Sequence, residues 1–371
     1  MIHIKDVGGL PAQLGGMARR IYSSLKPFLY PERLAAVAAG EVPAPVHVRI
    51  KPTNVCNHAC GFCAYRCDDL SLGSGMNERD RIPREKMMEI ADDLVGMGVE
   101  AVTFSGGGEP LIYPHLSETI ERLAAGNIRI GALSNGSMLR GRVAEALARH
   151  GTWVRVSIDG WDGESYARSR SVSEGEFGKV LGNLEAFARR GSGCVLGASV
   201  IVGEDNASHL FSICEQLSRV GVAEVKIAPC IVRDSSAEND AYHAPLLDTV
   251  QAQIASAREL ENDSFKIHDH YHLLGDRFDQ PGRRCPMAYL LTIIGADLAV
   301  YSCQDKAYTP SGFLGSIRDR SFRELWGSAD LRKALETIDP SAHCRHHCVA
   351  STKNAQLLEL MSLDPAHAPF V

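Results

Sequence analysis

The residues of this chain best equipped for chemistry are its cysteines. The segment CNHACGFC sets Cys56, Cys60 and Cys63 at a C-x3-C-x2-C spacing. Thiolates are soft ligands that suit iron–sulfur clusters or zinc. Structural zinc closes with four ligands, so three cysteines leave one position for something else. On a four-iron cluster the open iron could bind a substrate or cofactor directly. On zinc, His58 or Cys67 would complete the set. A second group, Cys285, Cys303, Cys344 and Cys348, supplies enough thiolates to close a [4Fe–4S] cluster or a zinc site. His343, His346 and His347 are the nearby substitutes. Cys67, Cys194, Cys214 and Cys230 stand outside both sets, and a lone cysteine commonly behaves as a small buried hydrophobe.

The bulk numbers bound what these groups can serve. The chain has 371 residues, room for one large domain or two smaller ones. A hydrophobic fraction of 45% excludes wholesale disorder. A net charge of −6, from 39 basic and 45 acidic residues, argues against a nucleic-acid platform. No apolar run reaches the ~20 residues of a membrane span. The opening MIHIKDVGGLPAQLGGMARR lacks the basic start and apolar core of a secretory signal, so a cytoplasmic location is expected. In that reducing compartment, eleven cysteines point to metal or redox chemistry rather than disulfides.

The elements that position these groups follow from the pattern. Residues 1–44 form an N-terminal extension with candidate helices at Ala18–Leu25 and Pro31–Ala39. VHVRIKPT, AVTFSGGG, IRIGALSNG, WVRVSIDG, CVLGASVIVG and AEVKIAPC read as strands ending in turn residues. Helical periodicity falls between them, at Arg84–Gly98, Leu116–Ala125, Leu139–His150, Phe177–Arg190 and Leu210–Val220. Gly98, Gly126, Gly151, Gly191 and Gly221 follow these helices, where left-handed caps are expected. Alternating strands and helices imply an α/β fold with a parallel sheet, as an open doubly wound sheet or a partial barrel. Either binds ligands at the carboxyl ends of its strands. After about residue 236 the rhythm changes. Ala237–Leu260 reads as helix, 285–303 as a hairpin around a GAD turn, 321–338 as helix, and Asn354–Leu363 as a last helix. The expected division is 1–44, 45–235 and 236–371.

The first cysteine loop, with Phe62 before its last cysteine, resembles the signature of the radical S-adenosylmethionine (SAM) superfamily. The resemblance continues through SGGGEP (Ser105–Pro110), LSNG (Leu133–Gly136) and SIDG (Ser157–Gly160), each at a successive strand end. It implies a partial (β/α)6 TIM-like barrel. It also implies a [4Fe–4S] cluster on Cys56, Cys60 and Cys63 whose open iron is chelated by the amine and carboxylate of SAM. Gly106, Gly107 and Gly108 would approach the methionine end, and Phe62 would pack on adenine. Arg170 would fork onto the carboxylate, with a solvated surface arginine as the plain alternative. Ser134, Asn135, Ser157 and Asn206 would be polar contacts, and Glu109 would contact the cofactor or hold local backbone. The implied chemistry is reductive cleavage of SAM to a 5′-deoxyadenosyl radical that abstracts hydrogen from the substrate. A flavodoxin- or ferredoxin-like electron donor is implied by the family alone.

Cys285, Gly295, Cys303, Cys344 and Cys348 resemble a shortened, one-cluster form of the SPASM/twitch auxiliary domain. The Gly-to-Cys spacing is longer than that pattern, and C-x3-C replaces a tighter pair, which keeps zinc in view. A second [4Fe–4S] cluster is the expectation. The substrate is expected to be small and polar, a sugar, aminocyclitol or nucleoside, because residues 1–44 look short for a leader-binding region. A peptide-modifying maturase is the alternative, and a non-catalytic iron–sulfur or zinc protein is the reading from another class. Dehydrogenation would pass an electron to the auxiliary cluster. Epimerisation would take hydrogen from a thiol, Cys230 or Cys67. Asp159 is a candidate proton acceptor or hydroxyl ligand, or a structural residue. Tyr65, Arg66, His268, His270 and His272 are candidate substrate contacts.

Overall fold

The structure is a computed structural model that describes residues 21–273, 282–344, 347–364, 366–367 and 369–370. Ala18–Arg20, the start of the first expected helix, and His346 lie outside them. Ten strands form one open sheet in the order β10-β9-β8-β1-β2-β3-β4-β5-β6-β7. The six strands read from the sequence are β1 (His47–Ile50), β2 (Ala101–Phe104), β3 (Arg129–Ser134), β4 (Gly151–Ser157), β5 (Val195–Val202) and β6 (Glu224–Pro229). Each is parallel to the next. β7 (Lys266–Asp269) continues the parallel set beyond β6. On the other edge β8 (Leu291–Ile294) runs parallel to β1, and β9 (Ala299–Tyr301) and β10 (Phe313–Ser316) add antiparallel strands.

Side chains alternate between the faces of a strand. Val48, Ile50, Val102, Phe104, Val154 and Val156 are fully buried under the helices of the convex face. The helices are Arg84–Met97, Leu116–Ala125, Gly141–His150, Gly175–Ala188 and Leu210–Arg219, each amphipathic at the helical period. The intervening strand positions, among them Arg49, Thr103, Arg155, Ser199 and Lys226, turn to the concave face, the lumen of a partial barrel.

Several expectations change. Gly98, Gly191 and Gly221 take left-handed caps, but Gly126 and Gly151 do not. At those two, a Cβ would lie 2.3 Å from Val95 Cγ2 and 2.5 Å from the Leu147 carbonyl, so close packing selects glycine there. Ala237–Leu260 is broken into Ser236–His243 and Leu247–Arg258 by a 3-10 turn at Ala244–Leu246, because Pro245 removes a helix donor. Only β8 and β9 form the expected hairpin. Cys285 precedes a short helix, Met287–Leu290, rather than sitting on a strand arm. Ile21–Leu25 are bends and turns instead of helix, since the Tyr22 ring is drawn into the lumen beside His268 and His270.

Candidate active site

The cysteine loop leaves the carboxyl end of β1 and closes on itself. The Cys63 amide donates to the Cys60 carbonyl (3.2 Å), and the Arg66 and Cys67 amides donate to the Cys63 carbonyl (2.9 Å each). The loop docks on the end of a helix the sequence reading missed, Gly163–Arg170. Ala59 and Gly61 donate to the carbonyls of Arg170 (3.1 Å) and Ser169 (3.3 Å). Its signal was D-x-x-S: Asp162 and Ser165 form a reciprocal cap.

That docking sets Arg170 beside the cysteines. Its Nη1 lies 3.8 Å from Cys60 Sγ, and its guanidinium is 5.2 Å from the Phe62 ring centroid and 5.5 Å from that of Tyr166. Its Nη2 forms a buried ion pair with Asp159. Burial works against the charge of Arg170, but Asp159 and Cys60 outweigh it and raise its pKa. Burial raises the Cys56 and Cys60 thiols. The His58 amide opposes this at Cys56, and Arg170 opposes it at Cys60. Thiols in this state become ligands when iron supplies the positive charge. His58 packs its ring on Tyr166 and faces Glu176 at 3.6 Å, on the helix side.

The glycine segment is held against the same loop. The Gly108 amide donates to the Thr53 carbonyl (3.2 Å) and that of Glu109 to Val55 (2.9 Å). A Cβ at Gly107 would meet Met76 Sδ at 2.4 Å, and one at Gly108 would meet the Val55 carbonyl at 2.0 Å. Gly106, whose carbonyl accepts from Lys51 Nζ (3.1 Å), curls back on Gly108. Glu109 is buried and accepts from the Leu111 amide (2.9 Å), Ser134 Oγ (2.8 Å) and the Asn135 amide (2.7 Å). It therefore ties the ends of β2 and β3 together, while burial raises its carboxyl. Asn135 Nδ2 reaches Asn57 Oδ1 (2.9 Å) in the cysteine loop. Ser157 closes β4 opposite Ser199. Asn206 Nδ2 holds the carbonyls of Asp159 (3.0 Å) and Ile201 (2.9 Å).

Of the catalytic candidates, Asp159 accepts from Arg170 Nη2 at Oδ2 and from the Ile201 amide at Oδ1 (2.7 Å). This arrangement orients the arginine. Cys230 follows β6, and its thiol is pushed up to about 12 by burial, with Asp159 and Cys67 adding to the effect. Cys67 is raised by burial. Tyr65 OH accepts from Lys51 Nζ (2.6 Å), and its ring packs edge-on to Tyr308, joining this loop to the C-terminal segment. Arg66 binds the carbonyls of His58 and Asn54 (3.2 Å each). His268 faces Glu224 at 3.7 Å, and His270 packs on Tyr22. His272 turns outward to Asp269 (2.7 Å).

Cys285, Cys303, Cys344 and Cys348 line one cavity with His343 and Asp305. Burial raises all four thiols, Cys344 to about 11 and Cys348 to about 12, and neighbouring thiols add to the rise at Cys303, Cys344 and Cys348. Asn354 Nδ2 donates to Cys285 Sγ (3.3 Å) while its Oδ1 accepts from the Met287 amide (3.0 Å). Among the described residues, no three such side chains are placed to hold a single metal ion. A four-iron cluster is instead a body of atoms that its thiolates surround, and four cysteines around one cavity fit it.

The sequence reading missed the charged lumen. Lys51 is 1% exposed, and its amine is pushed down to about 7 by burial and then by Arg49. Arg155 bonds Glu224 (3.1 Å) and lies 5.2 Å from the Tyr22 ring centroid. The polar-apolar alternation of VHVRIK was the available signal.

Residues 50–217 match the radical SAM superfamily. The sporulation killing factor maturation protein SkfB of Bacillus subtilis is 24% identical over 290 residues, covering 77% of this chain and 66% of that protein. The mycofactocin maturase MftC of Mycobacterium tuberculosis is 26% identical over 313 residues, covering 81% of this chain and 75% of that protein. Two solved structures of Streptococcus suis SuiB share the fold. One, bound to precursor peptide SuiA, has TM-score 0.60 at 13% identity and covers 90% of this chain and 78% of that one. The other, bound to S-adenosylmethionine, has TM-score 0.61 at 12% identity and covers 91% and 79%. Among the described residues, no helix is long and apolar enough to cross a membrane.

Proposed function

We propose, from the premise that this chain belongs to the radical SAM superfamily, that it is a peptide-modifying enzyme. Its cofactors are a [4Fe–4S] cluster and SAM, with an auxiliary cluster in the C-terminal segment. When bound, the cluster and SAM together supply a carbon-centred radical able to remove an unactivated hydrogen.

The observation that carries the SAM-enzyme part of the reading is the Arg170–Cys60–Phe62 arrangement, where the cysteine loop docks on the end of the helix Gly163–Arg170. Cys56, Cys60 and Cys63 are the ligands to the first cluster, and Cys285, Cys303, Cys344 and Cys348 those to the second. Phe62 and the glycine segment border the SAM site. Arg170, oriented by Asp159, presents a cation beside Cys60 for the SAM carboxylate. Glu109, Ser134 and Asn135 hold the strand ends that form the pocket wall. An external flavodoxin- or ferredoxin-like protein supplies the electron.

The substrate class shifts from the sequence expectation. Relatives named for maturation, and a shared fold seen with a precursor peptide, favour the peptide alternative over a sugar, aminocyclitol or nucleoside. Cys230 is the candidate hydrogen donor, since a thiol held protonated can return a hydrogen atom to a carbon radical.

The test is anaerobic incubation with reductant, SAM and a candidate precursor peptide in deuterated water. Formation of 5′-deoxyadenosine by the wild type and not by a Cys56/Cys60/Cys63→Ala variant supports the enzyme reading; none from either rejects it. Deuterium at a peptide carbon, lost in Cys230→Ala, supports epimerisation. A product two mass units lighter supports dehydrogenation. An unchanged peptide, with a small polyol consumed instead, returns the substrate to the sequence expectation.

A further inference from the structure

β1 and β8 are adjacent and parallel, with Arg49 opposite Ile293. The first cysteine set follows the carboxyl end of β1, and Cys285 precedes the amino end of β8. Arg49 sits between them. Val48 and Ile50 on either side are fully buried under the helices, so the Arg49 side chain enters the lumen. The charged or polar groups whose fields act on its guanidinium belong to both sites: Tyr65 to the first loop, Asp305 and Cys303 to the second, with Arg155 also in the lumen.

Arg49 is half-buried, and one edge of its guanidinium is enclosed and unsatisfied. Its Nε and Nη1 are out of reach of solvent and have no hydrogen-bond partner, and Nε of Arg155 is in the same state. A guanidinium stays charged in proteins. Buried N–H groups without partners are unfavourable, and such groups are found paired or holding a ligand. Asp305, whose Oδ2 accepts from the Val349 amide (3.2 Å), leaves those nitrogens unsatisfied. The free donors are planar N–H groups, the shape that recognises carboxylate.

We propose that Arg49, supported by Arg155, is the anchor for a carboxylate of the substrate, held in the lumen between the two cysteine sites. The proposal rests on the peptide reading for where that carboxylate comes from, the chain terminus or an acidic side chain.

The test uses the reconstituted full chain without SAM or peptide, so it stands apart from the radical reading. Thermal unfolding and tryptophan fluorescence are followed with N-acetylglycine, which carries a terminal carboxylate. Parallel arms use N-acetylglutamic acid α-amide, which carries a side-chain carboxylate, and neutral N-acetylglycinamide. Wild type is expected to gain roughly 2 °C from at least one carboxylate probe at saturation and nothing from the amide. The responding probe identifies the source. Arg49→Met is expected to melt higher than wild type without probe, because its two buried, unpartnered N–H groups are gone, and to lose the response. Arg49→Lys is expected to keep a weakened response. Equal responses in wild type and Arg49→Met would overturn the anchor, as would no response in wild type. A less stable or unfolded Arg49→Met, with Arg49→Lys responding like wild type, would also overturn it by making the guanidinium a structural group.

Discussion

Arg170 and Asp159 form an ion pair in which each side chain is only 4% exposed, and the arginine simultaneously lies 3.8 Å from Cys60 Sγ. The pair therefore couples the stability of the barrel to the geometry of the cysteine loop. Removing one member of a buried pair leaves the other charged and unpaired. Arg170→Met should destabilise the chain by about 3–5 kcal/mol in urea unfolding. The double variant Asp159→Leu/Arg170→Met should recover most of that stability and not recover SAM affinity, read by equilibrium binding. Recovery of both would show that Arg170 serves the fold alone.

The two cysteine sets should load iron independently. Anaerobic reconstitution is expected to give about eight irons per chain in wild type and about four in Cys56/Cys60/Cys63→Ala. About four should also remain in Cys303/Cys344→Ala. About four in wild type, unchanged in the Cys303/Cys344 variant, would remove the auxiliary cluster. Zinc in place of iron would do the same for whichever site held it.

Asn354 donates to Cys285 Sγ at 3.3 Å and braces the Met287 amide. A hydrogen bond to a ligating sulfur favours the reduced state of a cluster. Asn354→Leu should shift the auxiliary potential to more negative values while iron content holds, checked by redox titration. An unchanged potential would make Asn354 a backbone brace only.

His47, at the start of β1, bonds Thr103 Oγ1 (2.9 Å) and is pushed down to about 3, chiefly by burial and then by the charge of Arg49. Its unfolded value is about 6.5. Between these values the unfolded chain binds a proton that the folded chain does not, so stability rises with pH across that window. The contribution is complete above about 6.5 and is lost as pH falls toward 3. His47→Gln should flatten this segment of the stability–pH curve, measured by urea midpoints from pH 5 to 7.5. Arg49→Met should shrink the same slope by letting the histidine titrate higher.

Much of the barrel was legible because its signals are local. VHVRI, AVTF and IRIGALS carry strand propensity and end in turn residues, and the helices between them repeat at their own period. The cysteine loop is contiguous, so its ligand spacing is written in the chain. The helix Gly163–Arg170 was harder, because YARSRS is polar all round and its stability comes from the Asp162–Ser165 cap and from packing. β7 carries too few residues for periodicity to stand out.

The sequence alone determined which residues share a face: His47, Arg49 and Lys51 alternate with Val46, Val48 and Ile50 on β1. It could not say whether the polar face meets water or an interior, because a period of two is the same in both. Tertiary structure decided that. The sheet curves, β8 pairs with β1 and Tyr22 enters the lumen, so Lys51 loses its solvent and Arg49 keeps only part of its own. Cys285, Cys303, Cys344 and Cys348 were grouped in the sequence, but their meeting at one cavity across more than sixty residues of chain is set by long-range packing.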